Sequence, residues 1–357
     1  MHHDFYPLKI KDIRPETEDS KVISFEIPSD LKAVFHWKCG QNITIRFYQD
    51  GKEQRRSYSI NTIPSEGNLE IGVRRIDDGL FSDTVINTLQ PGITLDVMPP
   101  TGNFVLDSNK DELSHVVFFA AGSGITPIIA LIKELLLHHT NTRVTLIYGN
   151  RTHQSVMFLE ELENLKDDYV GRLQLIHLFS REAVENELFN GRINKEKAAA
   201  ILNSLVYQAH EAQYYLCGPR EMVMEVKDLL ISDMAIPERR VHFELFFVGD
   251  LQKSTSGTVS QSEEGMSRVT ILLDGKETEL DLAYDGEVIL DAGIDEGLDL
   301  PYACKGGVCA TCKAKLIKGE VEMDSNFALE QDELDAGYIL TCQSHPRTPE
   351  VYVNYDY

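Results

Sequence analysis

The chain of 357 residues is too long for one hydrophobic core, so we expect two or three domains. A formal net charge of −23 argues against binding to nucleic acids, because neutralising phosphates requires clustered Lys and Arg. Glycine, serine and proline interrupt the longest apolar stretch, Val116 to Leu137, so no membrane span is predicted. No charged-then-apolar signal segment opens the sequence, and the expected compartment is the cytoplasm.

The first hundred residues contain short strands separated by turns, a pattern typical of an antiparallel barrel. Asp50 and Gly51 predict a hairpin turn between two of these strands. The predicted strands are Val22 to Ile27, Asn42 to Tyr48, Gln54 to Ile60, Leu69 to Arg74 and Thr94 to Val97.

Two stretches of this region suit a flavin nucleotide. The first combines a guanidinium for a phosphate, an aromatic ring for the flavin face and hydroxyls for the N5 edge. The second precedes a predicted short helix from Asp83 to Leu89, whose free backbone N–H groups suit a pyrophosphate. Each pattern alone also fits an ordinary strand or turn. The candidate residues are Arg56, Ser57, Tyr58 and Ser59 in the first stretch, and Gly79, Leu80, Phe81 and Ser82 in the second.

From Leu113 onward strands and helices alternate, which predicts a parallel sheet. A strand from Val116 to Ala121 leads through a glycine-rich turn into a helix from Ile128 to His138. We expect Thr126 to cap this helix and Pro127 to occupy its first turn. The turn suits a dinucleotide pyrophosphate, although Pro127 stands where the common fingerprint has its third glycine. The candidate residues are Gly122, Gly124, Thr126 and Pro127.

The next two strands, Val144 to Tyr148 and Leu173 to Phe179, indicate the ribose end of this site. Arg151 follows the first, and Ser180 and Arg181 follow the second. Neither strand ends in an acidic residue that would hold a 2′-hydroxyl. Hydroxyl and guanidinium groups favour a 2′-phosphate, and therefore NADPH over NADH. The alternative is that Arg181 is an ordinary surface arginine.

A further strand, Tyr214 to Leu216, ends in Cys217, Gly218 and Pro219, and a helix is predicted from Glu221 to Ser232. The last strand of this region, Val241 to Phe247, carries Glu244 among aromatic residues. The segment from Gly249 to Gly265 is rich in Ser, Gln, Thr and Glu and predicts a flexible linker. The predicted domain limits are 1–108, 109–248 and 267–357, with a linker at 249–266.

The last ninety residues contain a cysteine pattern that predicts a metal cluster. A hairpin around Asp274 and Gly275 and a helix from Val288 to Glu296 precede it, and a helical turn is predicted before the last cysteine. Four residues separate the first cysteine from the second, two separate the second from the third, and a fourth cysteine follows about thirty residues later. This spacing is that of plant-type 2Fe-2S ferredoxins. Zinc is the alternative, but zinc sites usually pair two short Cys-x2-Cys units. The predicted ligands are Cys304, Cys309, Cys312 and Cys342.

The charge of this last region is strongly negative. From Arg268 to Tyr357 there are 19 acidic residues and 7 basic ones, a net charge of −12. The acidic residues either form a solvated face or steer a basic redox partner. The two remaining cysteines, Cys39 and Cys217, lie far apart in sequence, which argues against a disulfide framework.

Taken in this order, the motifs resemble a ferredoxin-NADP reductase module fused at its C terminus to a plant-type ferredoxin, over nearly the whole chain. More narrowly, Leu146 to Phe158, the loop around Cys304 and the run up to Cys342 resemble the reductase subunits of phenylacetyl-CoA epoxidases, which are multicomponent di-iron oxygenases. The resemblance implies a multidomain fold. It consists of an antiparallel β-barrel flavin domain, an α/β parallel-sheet nucleotide-binding domain and a C-terminal α+β ferredoxin domain of the β-grasp type.

The resemblance also implies roles for individual residues. Ser59, Cys217 and Glu244 would act at the hydride path, with Ser59 near the flavin N5 and Cys217 beside the nicotinamide. The two barrel motifs would hold FAD, and the glycine-rich turn would line the NADPH pyrophosphate. Two features depart from the family: Cys39 stands where proline is common, and the aromatic residue that usually closes the flavin is internal. Phe246 and Phe247 are the candidates for that cover.

The function implied by the resemblance is electron transfer from NADPH through FAD and a 2Fe-2S cluster to an oxygenase partner. One alternative is a reductase for a Rieske-type ring-hydroxylating oxygenase, which would carry FMN and use NADH. A second alternative, of a different class, is a redox-sensing or scaffold protein.

Overall fold

The structure, a computed structural model, describes residues 5–49, 51–76, 79–106, 113–246 and 265–357. The chain forms two compact units, one ending at Phe246 and one that follows it. The predicted linker lies outside the described residues except for Gly265 and Met266, and Met266 already belongs to a strand. No helix in the described ranges is long and apolar enough to cross a membrane.

The first unit begins with an antiparallel sheet of six strands. The strands are β1 (Tyr6–Thr17), β2 (Ser20–Glu26), β3 (Asn42–Gln49), β4 (Lys52–Ser59), β5 (Leu69–Arg74) and β6 (Thr94–Thr101). They lie in the order β4-β3-β6-β1-β2-β5. A bridge from Ile60, just after β4, to Ile71 of β5 joins the two ends of the sheet, which confirms the predicted antiparallel barrel.

Side chains that point into the barrel form its core. Ile23, Ile43 and Val97 come from three different strands and are fully buried. The sequence patterns do not predict β1, because most of its residues are charged or polar and only Leu8 and Ile10 are buried. A helix, α1 (Leu80–Asn87), follows β5 and begins three residues earlier than predicted.

The second part of the first unit is a parallel sheet with helices between its strands. Its elements are β7 (His115–Ala121), α2 (Ile125–His138), β8 (Arg143–Asn150), α3 (Leu159–Asp168), β9 (Leu173–Phe179), α4 (Lys195–Leu205), β10 (Gln213–Gly218), α5 (Arg220–Asp228) and β11 (Val241–Leu245). The strand order is β11-β10-β7-β8-β9, which confirms the predicted α/β domain. The chain reverses direction across the sheet at β7, so the crevice between the ends of β7 and β10 is the expected nucleotide site.

The ends of helix α5 and strand β11 differ from the prediction. Helix α5 ends at Asp228, and the chain continues as a wider turn of π-helix from Leu229 to Asp233. Strand β11 ends at Leu245, so Phe246 follows the strand, and Phe247 lies outside the described residues.

The start of α2 corrects the role predicted for Thr126. A single turn of 3-10 helix, Gly122–Gly124, runs directly into α2 at Ile125. Thr126 therefore lies inside the first turn and does not cap it, and its Oγ1 donates to the carbonyl of Ser123 at 3.0 Å. Pro127 lies in the first turn as predicted, where its missing N–H has no helical partner to lose.

The barrel and the parallel sheet pack directly against each other. A Cβ atom at Gly72 of β5 would lie 2.7 Å from Cγ2 of Thr126, so only glycine fits there without displacement. Lys133 of α2 is 7% exposed and forms ion pairs with Glu66 of the barrel at 3.0 Å and with Glu161 of α3 at 2.9 Å. A buried ammonium between two carboxylates is costly to separate, so these contacts fix the two sheets relative to each other.

The second unit is a mixed sheet around a short helix. Its elements are β12 (Met266–Leu273), β13 (Lys276–Ala283), α6 (Ile289–Asp295), β14 (Lys313–Lys318), β15 (Val321–Met323), α7 (Gln331–Asp335), β16 (Tyr338–Leu340), β17 (Ser344–Pro346) and β18 (Glu350–Asn354). The main sheet has the order β13-β12-β18-β14-β16, with β12 parallel to β18. Ile289 and Leu290 of α6 pack on this sheet, which confirms the predicted α+β ferredoxin domain.

Candidate redox sites

The end of β4 presents the predicted flavin residues at the edge of the barrel. Arg56 is exposed, Tyr58 is half-buried and Ser59 is buried. The ring of Tyr58 lies 5.5 Å from that of Phe81, centre to centre, and burial raises the pKa of its phenol, which therefore stays neutral. The hydroxyl of Ser57 pairs with that of Thr44 at 3.1 Å, so Ser57 is bonded within the barrel.

The second flavin motif forms the start of α1. Gly79 is the N-cap, and no side chain caps the first backbone N–H groups of the helix. A Cβ atom at Gly79 would overlap Oγ of Ser82, which accepts a hydrogen bond from the backbone N–H of Ile76 at 3.1 Å. Phe81 is 3% exposed and packs in the barrel core, so only its backbone can face a pyrophosphate.

Unsatisfied polar atoms beside Ser59 fit a flavin ring. Asn42 is the cross-strand neighbour of Ser59, and its Oδ1 is buried without a hydrogen-bond partner among the described residues. The Oδ1 of Asn61 is also buried without a hydrogen-bond partner among the described residues. Buried acceptors are costly unless they are satisfied, and the edge of a flavin carries an N–H donor. The residues present therefore fit FAD.

The glycine-rich turn lies against the end of β10. Gly122 has a φ of +54°, a conformation that favours glycine. A Cβ atom at Gly124 would overlap the carbonyl of Cys217 and lie 2.8 Å from the nitrogen of Gly218. The absence of side chains at these two glycines lets the turn lie close to the end of β10, at the switch point of the sheet. A dinucleotide pyrophosphate requires such a close backbone.

Two residues that the sequence motifs do not include also contact this turn. The hydroxyl of Tyr148, which is fully buried, donates to the carbonyl of Gly122 at 2.9 Å. A Cβ atom placed on Gly122 would lie 3.5 Å from Nη1 of Arg74, which belongs to the barrel. Nε of the same arginine donates to Asp19 at 2.9 Å. The turn therefore has a neutral donor beneath it and a guanidinium beside it.

The three residues expected at the hydride path meet where the barrel faces the parallel sheet. Cys217 and Glu244 are direct neighbours on β10 and β11. Ser59 donates to Oε2 of Glu244 at 3.4 Å. Burial, and then the nearby carboxylate of Glu244, raise the pKa of Cys217 well above its ordinary value. The thiol is consequently neutral, and a neutral thiol is a weakly polar group and a poor nucleophile.

The basic residues predicted for the ribose end lie together after strands β8 and β9. The backbone N–H of Ser180 donates to Asn150 at 2.9 Å, and that of Arg181 donates to Arg151 at 2.8 Å. Both arginines are exposed. Glu182, which the strand-end pattern does not include, accepts a hydrogen bond from the backbone N–H of His153 at 2.7 Å.

The four cysteines of the second unit lie together as two pairs. Hydrogen bonding between thiols joins Cys304 to Cys309 and Cys312 to Cys342. In the first pair this contact raises the pKa of Cys304 and lowers that of Cys309. Within the described ranges, no group of three ligands converges on a point that one metal ion could occupy. Four cysteines that lie together, three of them on one loop, can supply the four thiolates that a 2Fe-2S cluster requires, so the residues present fit that cluster.

The loop that carries three of these cysteines is held by unusual backbone conformations. Lys305, Gly307 and Ala310 have φ values of +51°, +73° and +53°. A Cβ atom at Gly307 would lie 2.8 Å from the carbonyl oxygen of Ser325, so this glycine is required by close packing. The backbone N–H of Gly306 donates to Sγ of Cys304 at 3.3 Å. Hydrogen bonds of this kind favour a thiolate over a thiol.

The two features that depart from the family are Cys39 and the aromatic residue expected to cover the flavin. Cys39 is buried, and its thiol donates to Glu134 of α2 at 3.6 Å, so it belongs to the packing between the barrel and α2. Phe246 is half-buried and packs against the core of the parallel sheet. Phe247, the second candidate for the flavin cover, is outside the described residues.

A flavin barrel, a nucleotide-binding parallel sheet and a ferredoxin unit with paired cysteines define a modular NAD(P)H-dependent oxidoreductase. Sequence models of three families match the chain in this order. They are an oxidoreductase FAD-binding domain over residues 7–106, an oxidoreductase NAD-binding domain over 118–228 and a 2Fe-2S iron-sulfur cluster binding domain over 271–347.

Curated relatives match over the full length. One of the subunits of 1,2-phenylacetyl-CoA epoxidase from Escherichia coli is 39% identical over 99% of this chain and 98% of its own. The ferredoxin reductase component of 3-ketosteroid-9-alpha-monooxygenase from Rhodococcus rhodochrous is 31% identical over 98% and 96% of the two chains. A glycine betaine monooxygenase reductase subunit from Chromohalobacter salexigens is 30% identical over 93% and 91%. The chain therefore belongs to the family of FAD-, NAD(P)H- and 2Fe-2S-containing reductase components.

Solved structures share the fold. Phthalate dioxygenase reductase has a TM-score of 0.58 and 22% identity, and the match covers 98% of both chains. An intact type IV self-sufficient cytochrome P450 monooxygenase has a TM-score of 0.71 and 20% identity. That match covers 98% of this chain but only 41% of the other, so this chain spans about two fifths of that protein.

Proposed function

We propose that this chain passes electrons from NADPH, through FAD and the 2Fe-2S cluster, to the oxygenase component of a phenylacetyl-CoA epoxidase. The observation that carries the proposal is that Ser59, Cys217 and Glu244 meet in a chain that also brings four cysteines together at the predicted cluster loop. The full-length relative from Escherichia coli, itself part of such an epoxidase, supports the choice of partner. We place the protein in the cytoplasm.

The roles of individual residues follow from their positions. Bound FAD would accept a hydride from NADPH and release single electrons to the cluster. Ser59 and Glu244 set the polar environment of the reacting edge, and neutral Cys217 lets a nicotinamide approach without a charge. Gly122, Gly124, Thr126, Pro127, Gly218 and Pro219 form the pyrophosphate end. Arg151, Ser180 and Arg181 bind the 2′-phosphate.

Removing the ferredoxin unit tests the exit for electrons. A shortened chain ending at Val248, near the proposed limit of the nucleotide domain, should keep its flavin, because the unit up to Phe246 is compact by itself. It should still reduce ferricyanide with NADPH but should fail to support turnover of the epoxidase oxygenase. The full-length variant Cys342→Ser, which keeps the linker and the domain but not the cluster, is the matched control and should fail in the same way. Oxygenase turnover by either variant at the full rate would refute the proposal.

A reductase for a Rieske-type oxygenase is the second candidate. One observation favours it: Glu182 follows Arg181 at the proposed ribose end, and its carboxylate would suit the 2′-hydroxyl of NADH. Extraction of the flavin and the ratio of kcat/KM for NADPH and NADH separate the two candidates. FMN with a preference for NADH would favour the Rieske partner. Slow turnover with every artificial acceptor would instead favour a redox sensor or scaffold.

A further inference from the structure

Gln343 lies directly after the fourth cysteine and is 8% exposed. Its side-chain Nε2 is 3.0 Å from the carbonyl oxygen of Lys305, in the cysteine loop, and 2.7 Å from that of Cys342. The same nitrogen is 3.7 Å from Sγ of Cys342, within hydrogen-bond distance of a sulfur, so the N–H directed at Cys342 is shared between its carbonyl oxygen and its sulfur. Gly307 makes room for this side chain, because a Cβ atom there would lie 3.2 Å from Cγ of Gln343.

The amide lies at the more buried of the two cysteine pairs. Cys312 and Cys342 are 2% and 4% exposed, whereas Cys304 and Cys309 are only partly buried. Uptake of one electron, supplied by NADPH through the flavin, adds one negative charge that spreads onto the cysteine sulfurs, with no proton taken up. In a buried environment a fixed N–H dipole interacts strongly with such a charge. Hydrogen bonds to the sulfurs are among the features that set the potential of iron–sulfur clusters.

We propose that Gln343 is a positioning residue that raises the reduction potential of the cluster by donating from Nε2 to Sγ of Cys342, while its bond to Lys305 fixes the amide. Removing the donor destabilises the reduced cluster more than the oxidised one, because the reduced cluster carries more negative charge. The inference rests on the assignment of Cys342 as a ligand. A wild-type protein without iron would contradict that assignment and leave nothing to titrate, so the two failures are distinguishable.

The test is a redox titration of the full-length protein followed by electron paramagnetic resonance, with the flavin absorbance as an internal reference. In Gln343→Leu the equilibrium constant for electron transfer from the flavin to the cluster should fall at least about threefold. This corresponds to a cluster potential lower by roughly 30 mV, at 59 mV per tenfold change. The potential of the flavin should not change. Gln331→Leu, a matched change on exposed α7, should leave both potentials at the wild-type values.

Gln343→Glu preserves the shape of the side chain and decides the case in which the leucine variant does not assemble its cluster. At pH 8.5 the Glu side chain is a carboxylate, which lacks the N–H donor and adds a negative charge. The cluster potential of this variant should therefore fall below that of the leucine variant. A cluster with wild-type iron content and an unchanged or higher potential in either variant would overturn the proposal. If neither variant retains iron, Gln343 serves only to strap the loop, and the proposal is also overturned.

Discussion

Oγ of Ser59, at the end of a barrel strand, lies 3.4 Å from Oε2 of Glu244, at the end of a strand of the parallel sheet. This contact joins two residues that are distant in the chain, at the place where Cys217 neighbours Glu244. The proposed flavin edge and the proposed nicotinamide end of the nucleotide site would therefore share the same small group of side chains.

Ser59→Ala should slow reduction of the bound flavin by NADPH and change KM little. Loss of a hydrogen bond to a charged group costs about 1.5 to 3 kcal/mol, or roughly ten- to hundredfold in rate when the bond acts at the reacting centre. Stopped-flow absorbance at saturating NADPH measures the effect. Ser232→Ala, which removes an exposed hydroxyl bonded to Asp228, is the control. Equal rates in all three proteins would mean that the Ser59 hydroxyl plays no part in the hydride step.

Tyr148→Phe should weaken binding of NADPH and NADH by the same factor. The substitution removes the hydrogen bond to the carbonyl of Gly122, worth about 1 kcal/mol, so KM for both nucleotides should rise roughly fivefold at nearly constant kcat. Tyr214→Phe removes a comparable buried hydrogen bond, to Ala209 at 2.6 Å, at the other end of the sheet. It should leave both KM values unchanged. A selective effect on one nucleotide would show that Tyr148 does not act through the turn.

Arg181→Ala should discriminate between the nucleotides, in contrast to the change at Tyr148. A lost charge-assisted contact to a 2′-phosphate should raise KM for NADPH roughly ten- to hundredfold and leave that for NADH nearly unchanged. Steady-state kinetics with both nucleotides provides the measurement. Arg239→Ala, at an exposed arginine before β11, controls for the loss of surface charge. Parallel losses with NADPH and NADH would assign Arg181 to the fold rather than to the phosphate.

His177 should make the protein sensitive to acid. Burial, followed by the charges of His153 and Lys166, lowers its pKa from 6.5 to about 4. Between these values the unfolded chain binds more protons than the folded one, so this contribution is complete above pH 6.5 and is lost as the pH falls to 4. The loss over this whole range amounts to about 3 kcal/mol.

His177→Phe removes the titrating group and keeps a ring beside Tyr148 and Phe179. Urea unfolding of the variant, followed by circular dichroism at pH 7.5 and pH 5, should shift less between the two values than that of the wild type. His36→Gln, at an exposed histidine, should retain the wild-type shift. A variant as sensitive to acid as the wild type would exclude His177 as the cause.

The residues that could be predicted from sequence are those that belong to short motifs with a fixed spacing along the chain. The cysteines around Cys304 and the glycines around Gly122 belong to short motifs at strand ends, and those ends follow from hydrophobic runs. Tyr148, Arg74 and Gln343 could not be predicted in the same way, because only the tertiary fold brings Tyr148 and Arg74 beside Gly122, and the side chain of Gln343 beside the carbonyl of Lys305. Thr126 was misplaced for a related reason: a turn of 3-10 helix lets α2 begin before the residue that resembles a cap.

The close approach of Gly124 to Cys217 restricts how this reductase can diverge. A methyl group on Gly124 would displace the strand end that carries Cys217, so the turn proposed for the pyrophosphate is mechanically coupled to the proposed hydride site. Exposed Arg151 and Arg181 are under no such restriction, since substitutions there displace no neighbouring backbone. If the proposed sites hold, nucleotide preference can change by single surface substitutions at Arg151 and Arg181 without any change at the contact between Gly124 and Cys217.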